Sequence, residues 1–139
     1  MIVLDASFIV KLVLEEPYSD EAESTVKELV RRGERLVSVD IALSEVLNTL
    51  WKHRVLVGDL GEEALEEAVS DLLLLWERLG KVNTFRLGRC SLELAVEHHI
   101  TVYDALYIAA ALEHRAGLAT YDDKQSKVAV ACGVPIYPS

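Results

Sequence analysis

Met1-Ile2-Val3-Leu4-Asp5-Ala6-Ser7-Phe8-Ile9-Val10 opens the chain with three adjacent apolar residues, an acid, and then apolar positions at Phe8, Ile9, Leu12 and Val13. The first run reads as a short strand buried on both faces, and the spacing after Asp5 predicts a helix over 6–14. Strand, acid, helix is thus the unit to look for downstream. Pro17 ends the first helix, and Gly33 closes a second over 18–32. A strand follows at 36–39. A long helix over 41–57 carries Leu43, Val46, Leu47, Leu50 and Trp51 at helical spacing. Residues 62–79 form another helix, acidic at its start as the macrodipole favours. Further strands are expected at 82–85, 118–120 and 134–137, with helices over 91–98, 103–114 and 123–131. Short strands, apolar on both faces and separated by helices, imply a three-layer α/β/α fold around a short, mostly parallel sheet. There is no repeat or linker, and 139 residues suit one domain spanning 1–139.

Composition excludes several classes. Fourteen basic and 23 acidic side chains leave a net charge of −9, which opposes general, non-specific binding to nucleic acid. Half the residues are hydrophobic, too many for a disordered chain. Charged residues interrupt every apolar run before it reaches membrane-spanning length, and the start lacks the basic region of a signal peptide. A location in the cytoplasm, with no membrane partner, is therefore expected. Cys90 and Cys132 lie far apart, outside any metal-binding spacing, and read as small core residues. No GxxxxGK or GxGxxG occurs, which disfavours nucleotide-phosphate enzymes.

Four carboxylates stand apart from the solvent-facing runs Glu62-Glu63 and Glu66-Glu67. Asp5 ends the first strand, Glu45 lies in the first turns of the long helix, Asp104 opens the helix over 103–114, and Asp122 follows the strand over 118–120. Each has apolar or small neighbours. Asp5 and Asp122 also suit helix N-caps, and Asp104 suits the positive end of its helix. In parallel α/β folds, however, ligands bind at the carboxyl ends of the strands, where Asp5 and Asp122 fall. Acids converging there repel one another unless protonated or neutralised by a cation. All-oxygen ligation suits Mg²⁺ or Mn²⁺, and a bound divalent ion supports phosphodiester hydrolysis.

The order of these segments is similar to a known family. Val3-Leu4-Asp5-Ala6-Ser7, with Lys11 beyond it, resembles the first motif of PIN-domain proteins, and more narrowly of the VapC toxins of VapBC toxin–antitoxin pairs. Ser44-Glu45-Val46-Leu47-Asn48 resembles the second motif, Thr101-Val102-Tyr103-Asp104-Ala105-Leu106-Tyr107 the third, and Leu118-Ala119-Thr120-Tyr121-Asp122 the fourth. The Thr-x-Asp spacing selects Asp122 over Asp123. The resemblance implies a PIN-like fold and a metal-dependent endoribonuclease. Asp5, Glu45, Asp104 and Asp122 would hold one or two Mg²⁺ or Mn²⁺ ions, directly or through water, leaving 5′-phosphate and 3′-hydroxyl ends. It also implies supporting roles for Ser7 and Thr120 beside the acids and for Lys11 at the RNA backbone. A homodimer and a cognate antitoxin, whose Arg would block the acids, complete the expectation. The alternative is a PIN-like RNA-binding or assembly module with weak catalysis.

Three other features need a place. His53, His98, His99 and His114 sit in polar helix ends and read as surface rather than as an acid–base pair. Leu72-Leu73-Leu74-Leu75-Trp76 covers nearly a full helical circumference, so part of it packs on the sheet and part meets another helix, a second copy or a partner. Lys81, Arg86 and Arg89 are the sequence's best candidate for an RNA-facing rim.

Overall fold

The computed structural model describes residues 1–139. Strand β1 (Ile2–Leu4) is followed by helices α1 (Ala6–Val13) and α2 (Ser19–Arg31), and then by β2 (Leu36–Val39) and α3 (Ala42–Trp51). A π-helical turn over Lys52–Val57 extends α3 and ends at Gly58, whose φ of 76° is left-handed. The chain continues through α4 (Glu62–Arg78), β3 (Gly80–Val82), α5 (Thr84–His98), α6 (Val102–His114), β4 (Gly117–Ala119), α7 (Asp123–Ala131) and β5 (Ile136–Tyr137).

The five strands form one sheet in the order β3-β2-β1-β4-β5, and every neighbouring pair is parallel. The expected three-layer α/β/α architecture is what forms, with a sheet that is parallel throughout. β1 and β4 are registered Ile2 to Gly117, Val3 to Leu118 and Leu4 to Ala119. Gly117 is required by close approach, because a Cβ there would lie 2.6 Å from the Tyr137 ring and 3.0 Å from Ile2. Ile2, Val3 and Leu4 are buried, as a strand covered on both faces must be. Helix α6 buries every residue from Ala105 to Ala111, and its alanines let neighbours approach from all sides.

From β1 the chain winds outward through β2 and β3, then crosses back to β4 and β5 on the other side. The strand order therefore reverses between β1 and β4. That reversal opens a crevice beyond their carboxyl ends, the place where parallel α/β sheets take ligands.

Several boundaries differ from expectation. The strand expected over 82–85 is Gly80–Val82, and the last strand is only Ile136–Tyr137. Asn83 accepts a hydrogen bond from the Phe85 N–H at 2.8 Å and caps α5, which therefore starts at Thr84 and not near Ser91. Gly88 and the arginines around it had blurred the helical period. Within the apolar run of α4, Leu72 is buried, Leu75 and Trp76 pack against the core, and Leu73 and Leu74 face outward.

Candidate metal centre

Asp5, Glu45, Asp104 and Asp122 all line one open pocket of about 450 Å³. Each arrives by a different route. Asp5 follows β1 and caps α1. Its Oδ1 accepts from the Phe8 N–H at 2.8 Å and from Ser7 Oγ at 2.7 Å, and its Oδ2 accepts from Thr120 Oγ1 at 2.5 Å. Asp122 caps α7, accepting from the Gln125 N–H at 2.8 Å. Asp104 lies in the first turn of α6, whose cap is Thr101. Glu45 projects from α3 and accepts a 2.5 Å hydrogen bond from the Tyr107 hydroxyl.

The hydroxyls of Ser7 and Thr120 link the first strand to the fourth. Thr120 Oγ1 accepts from the Asp122 N–H at 3.0 Å while donating to Asp5, and Ser7 Oγ accepts from the Tyr121 N–H at 2.9 Å. The two oxygens stand 3.3 Å apart. Lys11 reaches the same pocket but is held by Glu16 at 2.9 Å.

The electrostatics are those of crowded acids. Asp5 is only 2 % exposed. Burial pushes its carboxyl up to about 7, against the pull of three hydrogen bonds, and the nearby charge of Asp122 adds to the rise. Burial also raises Glu45, with Asp104 contributing, and raises Asp104, with Asp122 contributing. Three of the four acids thus resist ionisation, and their mutual repulsion is part of the cause. Tyr107 is raised as well, first by burial and then by Glu45, so it stays a proton donor to that carboxylate.

A divalent cation relieves this situation, and the donors are hard oxygens of the kind Mg²⁺ and Mn²⁺ select. No three His, Cys, Asp or Glu side chains close on one point as a direct ligand cage. The donor set fits a hard divalent ion such as Mg²⁺, which is commonly bound through only one or two carboxylates and keeps several of its waters.

Some pocket residues were not expected. Tyr107 follows Asp104 by three residues and so shares its helix face. Asn48 and Lys52 extend the face of Glu45 by the same logic. His53 was read as surface, yet it lines the pocket and pairs with Asp59 at 2.8 Å. Gln125 is buried and donates from Nε2 to the Asp104 carbonyl at 3.1 Å, tying α7 to α6. The Asp122-x-x-Gln125 spacing, close to a capping box, was its available signal. The suspected basic rim lies elsewhere. Arg86 pairs with Glu113 at 3.2 Å, nine residues and about 13 Å along α6 from Asp104. Lys81 sits over the Trp76 ring, 5.5 Å from its centroid.

A parallel α/β/α fold with four carboxylates in one pocket at its switch point is an arrangement suited to metal-assisted phosphoryl chemistry. The family model of the PIN domain matches residues 2–131, and the chain belongs to that family. It is 37 % identical over 124 residues to "Ribonuclease VapC3" of Pyrobaculum aerophilum, covering 87 % of this chain and 88 % of that protein. Among solved structures, it is similar to PAE2754 from Pyrobaculum aerophilum, with a TM-score of 0.72, 22 % identity, and coverage of 97 % of this chain and 82 % of that one. A toxin–antitoxin complex from Klebsiella pneumoniae matches with a TM-score of 0.64 and 17 % identity, covering 90 % of this chain and 89 % of that one. These two likenesses speak to the fold. No helix is long and apolar enough to cross a membrane.

Proposed function

We propose that this chain is a VapC-type endoribonuclease, one PIN-like domain over residues 1–139 that hydrolyses RNA phosphodiester bonds with Mg²⁺ or Mn²⁺. The observation that carries the reading is the convergence of Asp5, Glu45, Asp104 and Asp122 on one pocket at the reversal of strand order, with Asp5 buried and its carboxyl lifted to about 7. The 37 % identity to a protein named as a ribonuclease supports the substrate class.

Bound there, a divalent ion would supply Lewis-acid polarisation of a phosphate oxygen and a water of lowered pKa, able to ionise and act as the nucleophile. The chain's own residues prepare the place. Asp5 and Asp122 would hold the ion from the ends of the two central strands, and Asp104 and Glu45 would complete the charge from the helices. Ser7 and Thr120 each donate to a different oxygen of Asp5, and with the Phe8 N–H these three bonds leave the carboxylate little rotation. Tyr107 does the same for Glu45. Lys52, which makes no ion pair, stands at the mouth as the free cation for the RNA backbone, while Lys11 is neutralised by Glu16.

The antitoxin partner has a seat beside the site. A groove of about 360 Å³ between α1 and α4 has an apolar floor that includes Leu12, Leu60 and Ala68, and acidic walls that include Glu15, Glu67 and Asp71. Glu16 and His53 line both the groove and the acid pocket, so the two are continuous. A basic amphipathic segment suits that surface and reaches the acids from it. Leu47 and Trp51, four residues apart on α3, and Val55 beyond them are exposed and support a homodimer.

The test is RNA cleavage with Mn²⁺ or Mg²⁺, against EDTA and against Asp5→Asn. Cleavage that needs the metal and Asp5 is the expected result. Cleavage that persists in EDTA, or in Asp5→Asn, contradicts the mechanism. RNA binding without cleavage in saturating Mn²⁺ is what the binding-module alternative requires.

A further inference from the structure

Beside the acid pocket runs a stack of three aromatic rings that the hydrolytic chemistry does not use. Tyr121, the residue before Asp122, lines the pocket. One of its faces packs on Phe8, with ring centroids 5.6 Å apart and planes 12° from parallel. Tyr18 stacks on Tyr121 at 5.7 Å and 25°. Phe8 is wholly buried and Tyr18 is 65 % exposed, so the stack leads from the core to solvent and ends in an open ring.

The stack is fixed to the acids. The Tyr121 N–H donates to Ser7 Oγ, the hydroxyl that itself donates to Asp5. The Tyr121 hydroxyl donates to Glu21 at 2.9 Å, which sets the ring's far end. Tyr18 is held by its turn. Ser19, buried, donates to the Leu14 carbonyl at 2.7 Å and accepts from the Glu16 N–H at 3.0 Å. Tyr18 itself has φ 74° and ψ 1°, a left-handed conformation that suits glycine and is uncommon for a bulky side chain. Glycine would serve the turn, and a ring with most of its surface in water adds little to the core. A flat, aromatic, uncharged occupant is what the open ring recognises. Asp20 and Glu21 follow it in the first turn of α2, and Lys11, 5.8 Å from the Tyr121 ring centroid, is already paired with Glu16, so the ring is a poor seat for a phosphate and an acceptable one for a base.

We propose that Tyr18, carried on Tyr121 and Phe8, is a stacking platform for an unpaired base of the RNA strand next to the phosphate being cut. This rests on the ribonuclease reading above. Stacking on an aromatic face is tolerant of base identity and needs a base free of its duplex, so the platform selects single-stranded or looped RNA over helices. Base contact here also compensates for the protein's overall acidity, because it gives affinity that does not depend on phosphate charge.

The experiment is steady-state cleavage of a single-stranded RNA in Mn²⁺ by wild type, Tyr18→Phe, Tyr18→Leu, Tyr18→Ala and Tyr18→Gly, with a melting curve for each. Removing one stacked base contact is expected to raise KM about tenfold in the Leu, Ala and Gly variants, with kcat little changed. Tyr18→Phe keeps the wild-type KM. Tyr18→Gly relaxes the left-handed turn and keeps the melting temperature, so its loss of affinity is separated from any loss of fold. A 2-aminopurine placed beside the scissile phosphate is expected to be quenched on binding to wild type and much less on binding to Tyr18→Gly. Unchanged KM and unchanged quenching in Tyr18→Gly overturn the platform while leaving the ribonuclease reading intact. Absence of RNA cleavage by wild type in Mn²⁺ overturns both.

Discussion

The two edges of the sheet treat charge in opposite ways. At the edge where the strands begin, the Met1 amino group meets Glu34, and Glu113 at the end of α6 meets Arg86. At the edge where the strands end, Asp5, Glu45, Asp104 and Asp122 face one pocket without an ion pair to any of them, although Lys52 also lines it, and two other basic side chains there are held by other acids. Lys11 is bound to Glu16 and His53 to Asp59. One helix, α6, spans both regimes, with the raised carboxyl of Asp104 at its start and the ordinary pair of Glu113 at its end. Pairing was available to this chain, and the four pocket acids are left out of it. One buried and three half-buried acids left to repel one another mark a site where a ligand supplies the missing charge.

The largest effect should come from removing that charge. Asp5→Asn keeps a competent N-cap and the shape of the side chain, yet RNA cleavage in Mn²⁺ should fall on the order of 10³-fold, since several kcal/mol of charge stabilisation disappear. Its metal-free melting temperature at pH 8 should rise, because a buried charge has been removed. A lower melting temperature would mean that the Asp5 charge is compensated in the fold.

The pH dependence of the metal-free protein sharpens the same contrast. Asp5 titrates near 7 when folded and near 3.8 ordinarily, so between those values the folded state holds a proton that the unfolded state has released. The stabilising contribution is complete below about pH 4 and is lost as the pH rises through 7. The loss approaches about 4 kcal/mol as an upper bound. Urea unfolding at pH 5 and pH 8 captures a little over half of it, since the loss begins just above pH 4, and saturating Mn²⁺ at pH 8 should restore much of the difference. Equal stability at the two pH values would break the comparison.

A third expectation concerns Tyr107. Tyr107→Phe frees Glu45 without opening the core, and Mn²⁺ affinity should drop roughly 10- to 100-fold, as for other residues that orient a ligand. Titration calorimetry reads it directly. At the opposite edge, Arg86→Ala should cost less than about 1 kcal/mol in a melt and leave RNA cleavage unchanged, because exposed ion pairs contribute little. A marked loss of cleavage would place RNA along α5 and dissolve the distinction between the edges.

The parts of the site carried by strand ends were legible in the sequence. Ile2-Val3-Leu4 followed by Asp5, and Leu118 to Thr120 followed by Asp122, announce both a buried parallel strand and an acid at its carboxyl end. Glu45 and Asp104 stood out by context and by family resemblance, since a helix period alone does not say which sheet edge a helix faces. Tyr107 was hidden because a tyrosine among alanines reads as core, and it is indeed buried as well as bonded to Glu45. His53 lies in the π-helical turn after α3, where a simple helical wheel no longer places side chains. The basic residues from Lys81 to Arg89 were misplaced for a related reason. Their cluster is real in one dimension, but the cap at Asn83 starts α5 early and carries Arg86 to the far end of α6.

The central claim is that a divalent ion takes the place of a proton in this pocket. Calorimetric titration of Mn²⁺ at pH 6, in two buffers of different ionisation enthalpy, counts the protons displaced. Below the folded value near 7, Asp5 is largely protonated, so about one proton should leave per bound protein, falling toward zero at pH 8 and absent in Asp5→Asn. Mn²⁺ binding at pH 6 with no proton release, or with the same release in Asp5→Asn, would contradict it.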